Sequence, residues 1–177
     1  DLVSPWLGDA LLAEEALRAV RAGGNSAIFD TIYLAAKREM LFVKGHTKVL
    51  IVITDGMDTF RSNIYDPETN DVCPEKRRGA LGPTNCRQLK TEDITYALQE
   101  AQTVLYVIDS RPSPEKIASS FQEPLNTAKD LEEIAKLSGG ERFLVKNIPE
   151  AEKAAKSILE IIGKRYLFGF YTSSLPC

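Results

Sequence analysis

The order of apolar and polar residues predicts alternating helices and strands along most of the chain. Lys48–Thr54 is a continuous apolar run rich in β-branched residues, which is typical of a strand covered on both faces in a parallel sheet. Val104–Ile108, Arg142–Val145 and the aromatic segment Arg165–Thr172 are predicted to be further strands. Apolar residues at helical spacing predict helices over Leu11–Ala22, Ser26–Phe42, Thr91–Ala101, Thr127–Leu137 and Pro149–Ile162. This alternation predicts an α/β fold, a three-layer sandwich with a mainly parallel central sheet flanked by helices.

Residues with known preferences for helix ends support these boundaries. The pair Gly23–Gly24 is expected to end the first helix, and Gly139–Gly140 is expected to end the helix that begins at Thr127. Thr91 is predicted to cap its helix, with two acidic residues following in the first turn. Pro149 suits a helix start because its missing N–H has no partner there anyway.

Residues 59–90, here called the insertion, show no hydrophobic periodicity and hold many turn-forming residues. A loop of this length inside one domain is normally functional or partly disordered. A disulfide between Cys73 and Cys86 would contribute about 3 kcal/mol and favours a secreted, periplasmic or cell-surface protein, whereas the alternative is two free thiols. Zinc is less favoured because His46 lies beside a strand and two thiols lack further ligands.

The bulk composition indicates one soluble-type domain over residues 1–177, with the insertion as its one long interruption. The chain is 44% hydrophobic and 27% charged, and its net charge of -3 gives no basic field that would attract nucleic acid. The longest apolar run, Val49–Ile53, is too short to cross a bilayer, so no membrane insertion is expected. A start at Asp1 without Met indicates a processed or trimmed piece of a longer protein.

Three stretches together resemble one protein family. They are GGNSAIFDTIYLA (Gly23–Ala35), KVLIVITDGMD (Lys48–Asp58) and LSGGERFLV followed by KRYLFGFYTSS. In this order and spacing they are similar to the von Willebrand factor type A domain, especially to a bacterial branch of that family. The resemblance implies a Rossmann-like fold and a non-enzymatic protein-binding or adhesion function.

The same resemblance implies a metal-ion-dependent adhesion site at the carboxyl end of the sheet. In the family, one loop supplies Asp-x-Ser-x-Ser, a second supplies a Thr or Ser ahead of a helix, and a third supplies an Asp after a strand. By position, Ser26 matches the second loop and Asp55 matches the third, while Asn25 and Asp58 are expected beside the ligands or on the ligand-facing side. Mg²⁺ prefers such oxygen ligands. An open coordination position would accept an acidic group of a partner protein.

One part of the family pattern has no counterpart in these residues. Asp-x-Ser-x-Ser does not occur, and the nearest candidate, Asp109–Ser113, follows a strand in the wrong place in the order. The chain therefore resembles the C-terminal part of the domain, without its first strands. Lys48–Thr54 would then lie at an exposed sheet edge, which favours aggregation unless it is covered. Pairing through that edge, or with an N-terminal half supplied separately, is expected.

The candidate ligands also have ordinary structural interpretations. Asp55 belongs to an Asp-Gly turn, and Ser26 at a helix start suits an N-cap. Asp58 is either a carboxylate behind the metal ligands or a solvated residue that helps to cap the segment after it. Asp30 is expected to act as a helix-dipole or packing partner rather than as a ligand. Asp66–Asp71 lacks the glycine and glutamate of a calcium loop and is interpreted as a polar loop.

Three functions follow from these residues. The leading one is a protein-binding module of a bacterial extracytoplasmic protein that uses Mg²⁺ to bridge to an acidic group. The alternative is a structural scaffold of the same fold without a working metal site, which assembles through its helices or its exposed edge. A Mg²⁺-dependent hydrolase or phosphotransfer domain is less favoured, because Asp109 is the only obvious second carboxylate to act with Asp55.

Overall fold

The computed structural model describes residues 9–21, 25–44, 47–73, 86–110 and 123–164. The helices are α1 (Ala10–Ala19), α2 (Ile28–Leu34), α3 (Thr91–Glu100), α4 (Glu123–Leu137) and α5 (Ile148–Gly163). The strands are β1 (Lys48–Thr54), β2 (Tyr65–Asp66), β3 (Asp71–Val72), β4 (Thr103–Asp109) and β5 (Arg142–Leu144). The predicted strand Arg165–Thr172 and the predicted stop at Gly23–Gly24 lie outside the described residues.

The main sheet has three parallel strands in the order β1-β4-β5. Lys48 pairs with Thr103 at one end of β1 and Thr54 pairs with Asp109 at the other, so the two strands match over their full length. A mixed α/β fold with a parallel sheet is therefore confirmed, with β1 predicted to the residue. Within the described part of the chain, β1 has a strand neighbour on one side only, so it forms an edge of the sheet.

Helices cover both faces of this sheet. The larger core joins buried residues of α2, α3 and α4 to one face of β4, including Ile32, Leu98 and Ile134. The smaller core joins α5 to the opposite face through Ile158 and Tyr106. This layering is compatible with the predicted α/β sandwich. No helix in the described ranges combines the length and the apolar character needed to cross a membrane.

The second predicted helix starts later than expected and changes its pitch. Its N-cap position is Ala27 rather than Ser26, and no side chain of its own caps it, so the prediction that Ser26 is the N-cap is wrong. Beyond Leu34 the helix continues as a π-helical segment, Ala35–Met40. The buried ammonium group of Lys48 donates to the Met40 carbonyl at 3.0 Å, which satisfies one carbonyl at the helix end.

Helix α3 also has a cap that differs from the prediction. Lys90 rather than Thr91 occupies the N-cap position. The Asp93 carboxylate accepts the Lys90 N–H at 2.7 Å, so the acidic residue in the first turn satisfies a backbone donor at the helix start. Helix α5 starts one residue before Pro149, and its cap is Asn147.

The prediction that Gly139–Gly140 ends α4 is confirmed. Each of the two positions requires glycine for a different reason. Gly139 has a φ of 86°, in the left-handed region that favours glycine after a helix. Gly140 lies so close to the backbone of β4 that an added Cβ would overlap the Leu105 carbonyl oxygen. The pair therefore lets α4 stop and return directly against the sheet.

The insertion contains regular structure that the sequence does not indicate. Strands β2 and β3 form an antiparallel hairpin of two residues each, and Tyr65 makes a further bridge to Arg87. The turn between the strands includes Asn70, whose φ is 52°. Cys73 and Cys86 lie within disulfide-bonding distance, in agreement with the expected pairing.

Candidate functional site

A groove of about 660 Å³ runs between α2 and β1 and reaches the carboxyl end of the strand. Ser26 and Asp55, the two predicted metal ligands, both line it, together with Ser110 at the end of β4. The groove is apolar along its length and polar at this end, because hydroxyl and carboxylate groups gather where the strands stop. Ser26 and Asp55 therefore both lie along one groove.

Ser26 is held in place through its backbone, which leaves its side chain exposed. Its N–H donates to the Thr59 side-chain oxygen at 2.8 Å. Its carbonyl accepts the N–H of Thr59 at 2.8 Å and the N–H of Phe60 at 3.0 Å. These bonds tie the segment before α2 to residues 55–62, here called the latch loop. They also explain why Ser26 stays outside the helix.

Asp55 is exposed and forms the Asp-Gly turn that its sequence predicts. Its Oδ1 accepts the Met57 N–H at 3.1 Å, and Gly56 adopts a φ of 76°. A side chain at position 56 would be strained in this conformation. The turn leaves Oδ2 of Asp55 without a protein donor among the described residues. One carboxylate oxygen is therefore available for a ligand.

Asp58 holds the latch loop against the start of α2. Its side chain is inaccessible to solvent, and its carboxylate accepts the Ile28 N–H at 2.8 Å and the Arg61 Nε–H at 2.7 Å. Burial raises the pKa of Asp58, against the hydrogen bonds from Arg61 and Ile28. The prediction of a solvated residue that caps the following segment is wrong, since Asp58 caps an earlier helix from a distance.

Asp30 makes a second contact between α2 and the latch loop. It is buried, and its Oδ2 accepts hydrogen bonds from the N–H (2.9 Å) and the hydroxyl of Ser62. Its Oδ1 is buried without a hydrogen-bond partner in the described part of the chain. Arg61 stacks over the Phe29 ring, 4.2 Å from the centroid. Asp30 is therefore a packing partner, as predicted, and belongs to the support beneath the groove.

Asp109 ends β4 but does not line the groove. It is fully buried, and its Oδ2 accepts hydrogen bonds from Nε of Arg142 at 2.9 Å and Nη2 at 2.6 Å. The next residue, Ser110, donates its N–H to the Thr54 carbonyl at 2.8 Å. Only the serine is thus presented to the groove, while the carboxylate is bound by arginine behind it.

The groove supplies a small set of oxygen donors for a cation. Among the described residues that line it, Asp55 is the one carboxylate, and Ser26 and Ser110 contribute hydroxyl groups. Asn25, beside Ser26, is exposed. Within the described ranges, no group of three or more His, Cys, Asp or Glu residues could hold a metal ion. These donors suit a hydrated Mg²⁺ held through one carboxylate, and they do not enclose an ion completely.

A second cluster, which sequence reasoning missed, anchors the insertion to α3. Arg87 makes a two-pronged ion pair with Asp93, at 2.7 and 2.9 Å, and stacks over the Tyr65 ring at 4.4 Å. Burial acts to raise the pKa of Asp93, but hydrogen bonds from Arg87 and the Lys90 N–H outweigh it and hold that pKa below its usual value. No periodic pattern marks these partners: Arg87 and Asp93 are six residues apart, and Tyr65 joins them only through the fold.

Comparison of the chain with family models, with curated proteins and with solved structures finds no match. The resemblance to the von Willebrand factor type A domain therefore remains a prediction from its motifs.

Proposed function

We propose that the chain is a non-enzymatic protein-binding module that contacts an acidic group of its ligand through Mg²⁺ at the carboxyl end of β1. The most direct support is that Ser26 and Asp55 line the same groove. Ser26 belongs to a segment before β1 in the sequence, and Asp55 follows directly after β1. Both side chains are exposed, so they are accessible to a cation and to a partner protein.

The donor chemistry explains why a cation is needed. Asp55 carries a negative charge at the groove, so a partner carboxylate would be repelled there in the absence of a counter-ion. Mg²⁺ supplies positive charge and octahedral coordination positions that can be shared between water and carboxylate oxygens. Asp55 and the Ser26 hydroxyl would be ligands of the ion. Asn25 and Ser110 would offer hydrogen bonds to the acidic group of the partner protein.

The latch loop prepares this site before the ligand arrives. Asp58 is bonded to Ile28, and the Ser26 backbone is bonded to Thr59, so the two ligand-bearing segments are fixed relative to each other. A site that is already ordered loses less conformational entropy when it binds. Asp58 is accordingly a positioning residue and does not touch the cation.

The sequence motifs extend the proposal to family and location. Resemblance to the von Willebrand factor type A domain supports a role in adhesion or assembly, and the resembling branch is bacterial. The proximity of Cys73 to Cys86 supports an oxidising, extracytoplasmic setting, because disulfides persist there.

A titration with Mg²⁺ alone tests the proposed site. In NMR spectra of the chain, we expect saturable shifts of the Ser26 and Gly56 amide signals, with a dissociation constant on the order of 1 mM because one carboxylate holds the ion. Asp55→Asn should abolish these shifts. The matched control is Asp71→Asn, because Asp71 is also exposed and accepts a neighbouring backbone N–H, from Val72, outside the groove.

Acetate, the simplest carboxylate, tests the bridging role of the ion. Acetate should shift the same signals only when Mg²⁺ is present and Asp55 is intact. If Asp55→Asn binds Mg²⁺ as the unchanged chain does, the mechanism is wrong. If acetate binds equally well without Mg²⁺, the site recognises anions in another way.

A structural scaffold without a cation is the second candidate, and the edge position of β1 supports it. Ile51 and Ile53 on this strand are 42% and 76% exposed, which is high for apolar residues in a parallel strand. A scaffold would assemble equally well in the presence of a chelator, whereas the cation-dependent module would lose its ligand.

A Mg²⁺-dependent hydrolase or phosphotransfer domain has less support. It would need a second acidic group beside Asp55, and Asp109 is instead buried and bonded to Arg142. Clear Mg²⁺-dependent turnover of p-nitrophenyl phosphate, lost in Asp55→Asn, would nevertheless favour the enzyme over the binding module.

A further inference from the structure

The latch loop leads directly into backbone that is bonded to the segments on both sides of the disulfide. Two residues beyond the end of the loop, the Ile64 carbonyl accepts the Cys73 N–H at 2.8 Å. The next residue, Tyr65, exchanges two backbone hydrogen bonds with Arg87, at 2.9 and 3.2 Å, and Arg87 is the neighbour of Cys86. Residues 64 and 65 are therefore bonded to the two segments that the disulfide joins.

A side-chain contact connects the same region to the latch loop itself. Nε2 of Gln88, two residues after Cys86, donates to the Arg61 carbonyl at 3.4 Å. The guanidinium group of Arg61 is bonded to Asp58, whose carboxylate caps α2. The latch loop is thus held at its carboxyl end by contacts from both disulfide-bearing segments, while its amino end follows directly from β1.

These contacts are weak without a covalent link between the two segments. The hairpin of β2 and β3 has two residues per strand, and such short hairpins are marginally stable. Gln88 is exposed, so its hydrogen bond competes with water. A disulfide restricts how far the segments beside it can separate, which lowers the entropy of an open state. We therefore expect the order of the latch loop to depend on the bond between Cys73 and Cys86.

We propose that the Cys73–Cys86 disulfide is a redox-sensitive clamp on the latch loop, so that its reduction by a dithiol weakens cation binding in the groove. When the disulfide is intact, the latch loop is fixed at its carboxyl end and holds the Ser26 backbone through two N–H groups. When the disulfide is reduced, the loop opens more often, and Ser26 is no longer fixed relative to Asp55. The consequence for cation affinity rests on the proposed function and adds a form of regulation to it.

The two cysteines differ in exposure, which determines where a reductant attacks. Cys73 is 1% exposed, whereas Cys86 is partly exposed. One thiolate of a dithiol attacks Sγ of Cys86 and displaces the Cys73 sulfur, and the second thiol then displaces Cys86 from the mixed disulfide. Two electrons and two protons pass from the dithiol to the two cysteines, and the dithiol becomes a disulfide.

Amide hydrogen exchange, followed by NMR, tests the clamp without any cation. The N–H groups of Thr59 and Phe60 report opening of the latch loop, because they donate to the segment before α2. In a Cys177→Ser background, which removes the third thiol, we expect these amides to exchange at least about tenfold faster in dithiothreitol than in the oxidised chain. The control is the variant Cys73→Ser with Cys86→Ser, which should show the fast rates with or without dithiothreitol.

An amide in the main sheet separates a clamp from a general loss of stability. Val107 of β4 is buried and donates its N–H to the Glu141 carbonyl, so it exchanges chiefly through global unfolding. A disulfide that only restricts the unfolded chain would, on reduction, accelerate exchange at Val107 and leave Thr59 and Phe60 unchanged. A clamp accelerates exchange at Thr59 and Phe60 in a chain whose far-UV circular dichroism spectrum is unchanged.

The variant Gln88→Ala tests the same path with the disulfide intact. It removes the donor to the Arg61 carbonyl, so Thr59 and Phe60 should exchange about threefold faster than in the unchanged oxidised chain. The matched control is Gln99→Ala, an exposed glutamine on α3, which should leave both rates as they are. If the reduced chain unfolds, this pair of variants still decides the question.

A Mg²⁺ titration tests the consequence for the groove. The dissociation constant, measured from the Ser26 and Gly56 amide signals, should rise about fivefold on reduction, the lower end of the usual coupling between two sites. If the oxidised chain binds no Mg²⁺, the proposed function fails, and the exchange rates still decide whether the clamp exists. If Mg²⁺ binds equally well in both redox states, or if Thr59 and Phe60 exchange at the same rate in both, the proposal is overturned.

Discussion

The Asp58 carboxylate accepts the N–H of Ile28 at 2.8 Å, so a residue after β1 caps a helix that precedes β1 in the sequence. The same carboxylate accepts the Arg61 Nε–H, which balances the charge of a buried group. This contact joins the two segments that carry Ser26 and Asp55. The geometry of the groove therefore depends on a residue that does not line it.

Substitution of Asp58 should destabilise the fold. Asp58→Ala removes the cap of α2 and leaves the Ile28 N–H without its acceptor, so we expect a loss of about 1–3 kcal/mol in the free energy of unfolding. Asp58→Asn keeps an acceptor for Ile28 and should lose less. Urea denaturation measures both variants. Asp71→Ala, at an exposed position, is the control and should stay within about 0.5 kcal/mol of the unchanged chain.

The fold should become less stable at acidic pH because Asp93 becomes protonated. Its pKa in the folded protein is held below its usual value by Arg87 and the Lys90 N–H, although burial opposes them. A carboxyl with a lowered pKa contributes stability above its unfolded pKa of 3.8, and that contribution is lost as pH falls through the folded value. The melting temperature should therefore drop between about pH 5 and pH 2.5.

Asp93→Asn should reduce the slope of that pH dependence, because Asn does not ionise. Thermal melts followed by circular dichroism over the same pH range measure the difference. The control is Glu92→Gln, whose side chain is exposed on the same turn of α3. Equal slopes for Asp93→Asn and the unchanged chain would show that the ion pair with Arg87 contributes no pH-dependent stability.

Local sequence patterns predict the strands well because a buried parallel strand has a distinct apolar signature. Lys48–Thr54 matches β1 at both ends, and the Asp-Gly turn at Asp55 follows from chemistry within two residues. Ser26 is indicated by its resemblance to the hydroxyl-bearing loop of the von Willebrand factor type A family, ahead of an apolar helical pattern. Its exclusion from the helix could not be foreseen, since that depends on backbone bonds to Thr59.

Contacts between distant segments account for the features that the sequence did not predict. The roles of Asp58 and Arg87 require partners in other elements, and neither residue lies in a periodic pattern. The hairpin of β2 and β3 has two residues per strand, too few to show an alternation of polar and apolar residues. The sequence thus indicates Ser26 and Asp55, which line the groove, and does not indicate the residues that hold their segments in place.

Gly140 should be intolerant of any side chain. An added Cβ would overlap the Leu105 carbonyl oxygen, which belongs to the backbone of β4 and cannot move without disturbing the sheet. We expect Gly140→Ala to lower the free energy of unfolding by about 1–3 kcal/mol, measured by urea denaturation. Gly163→Ala is the matched control, because nothing lies within 4 Å of its added Cβ, and it should be neutral or slightly stabilising.

Arg142 should contribute to the stability of the fold chiefly by neutralising the carboxylate of Asp109. Asp109 is fully buried and accepts two hydrogen bonds from this guanidinium group, which also lies 3.6 Å from Glu132. Arg142→Met keeps much of the side-chain volume but removes the charge, so the buried carboxylate loses its main counter-ion. We expect a loss of about 3–5 kcal/mol in the free energy of unfolding, the usual cost of breaking a buried pair from one side.

The double variant Asp109→Asn with Arg142→Met separates charge from packing. Asn carries no charge, so the double variant should regain part of the stability lost by Arg142→Met alone. Urea denaturation of the two single variants and the double variant gives the coupling free energy. If the double variant is less stable than Arg142→Met, the arginine acts through packing and hydrogen-bond geometry. In that case, the buried charge at the end of β4 would be stabilised by other groups around Asp109.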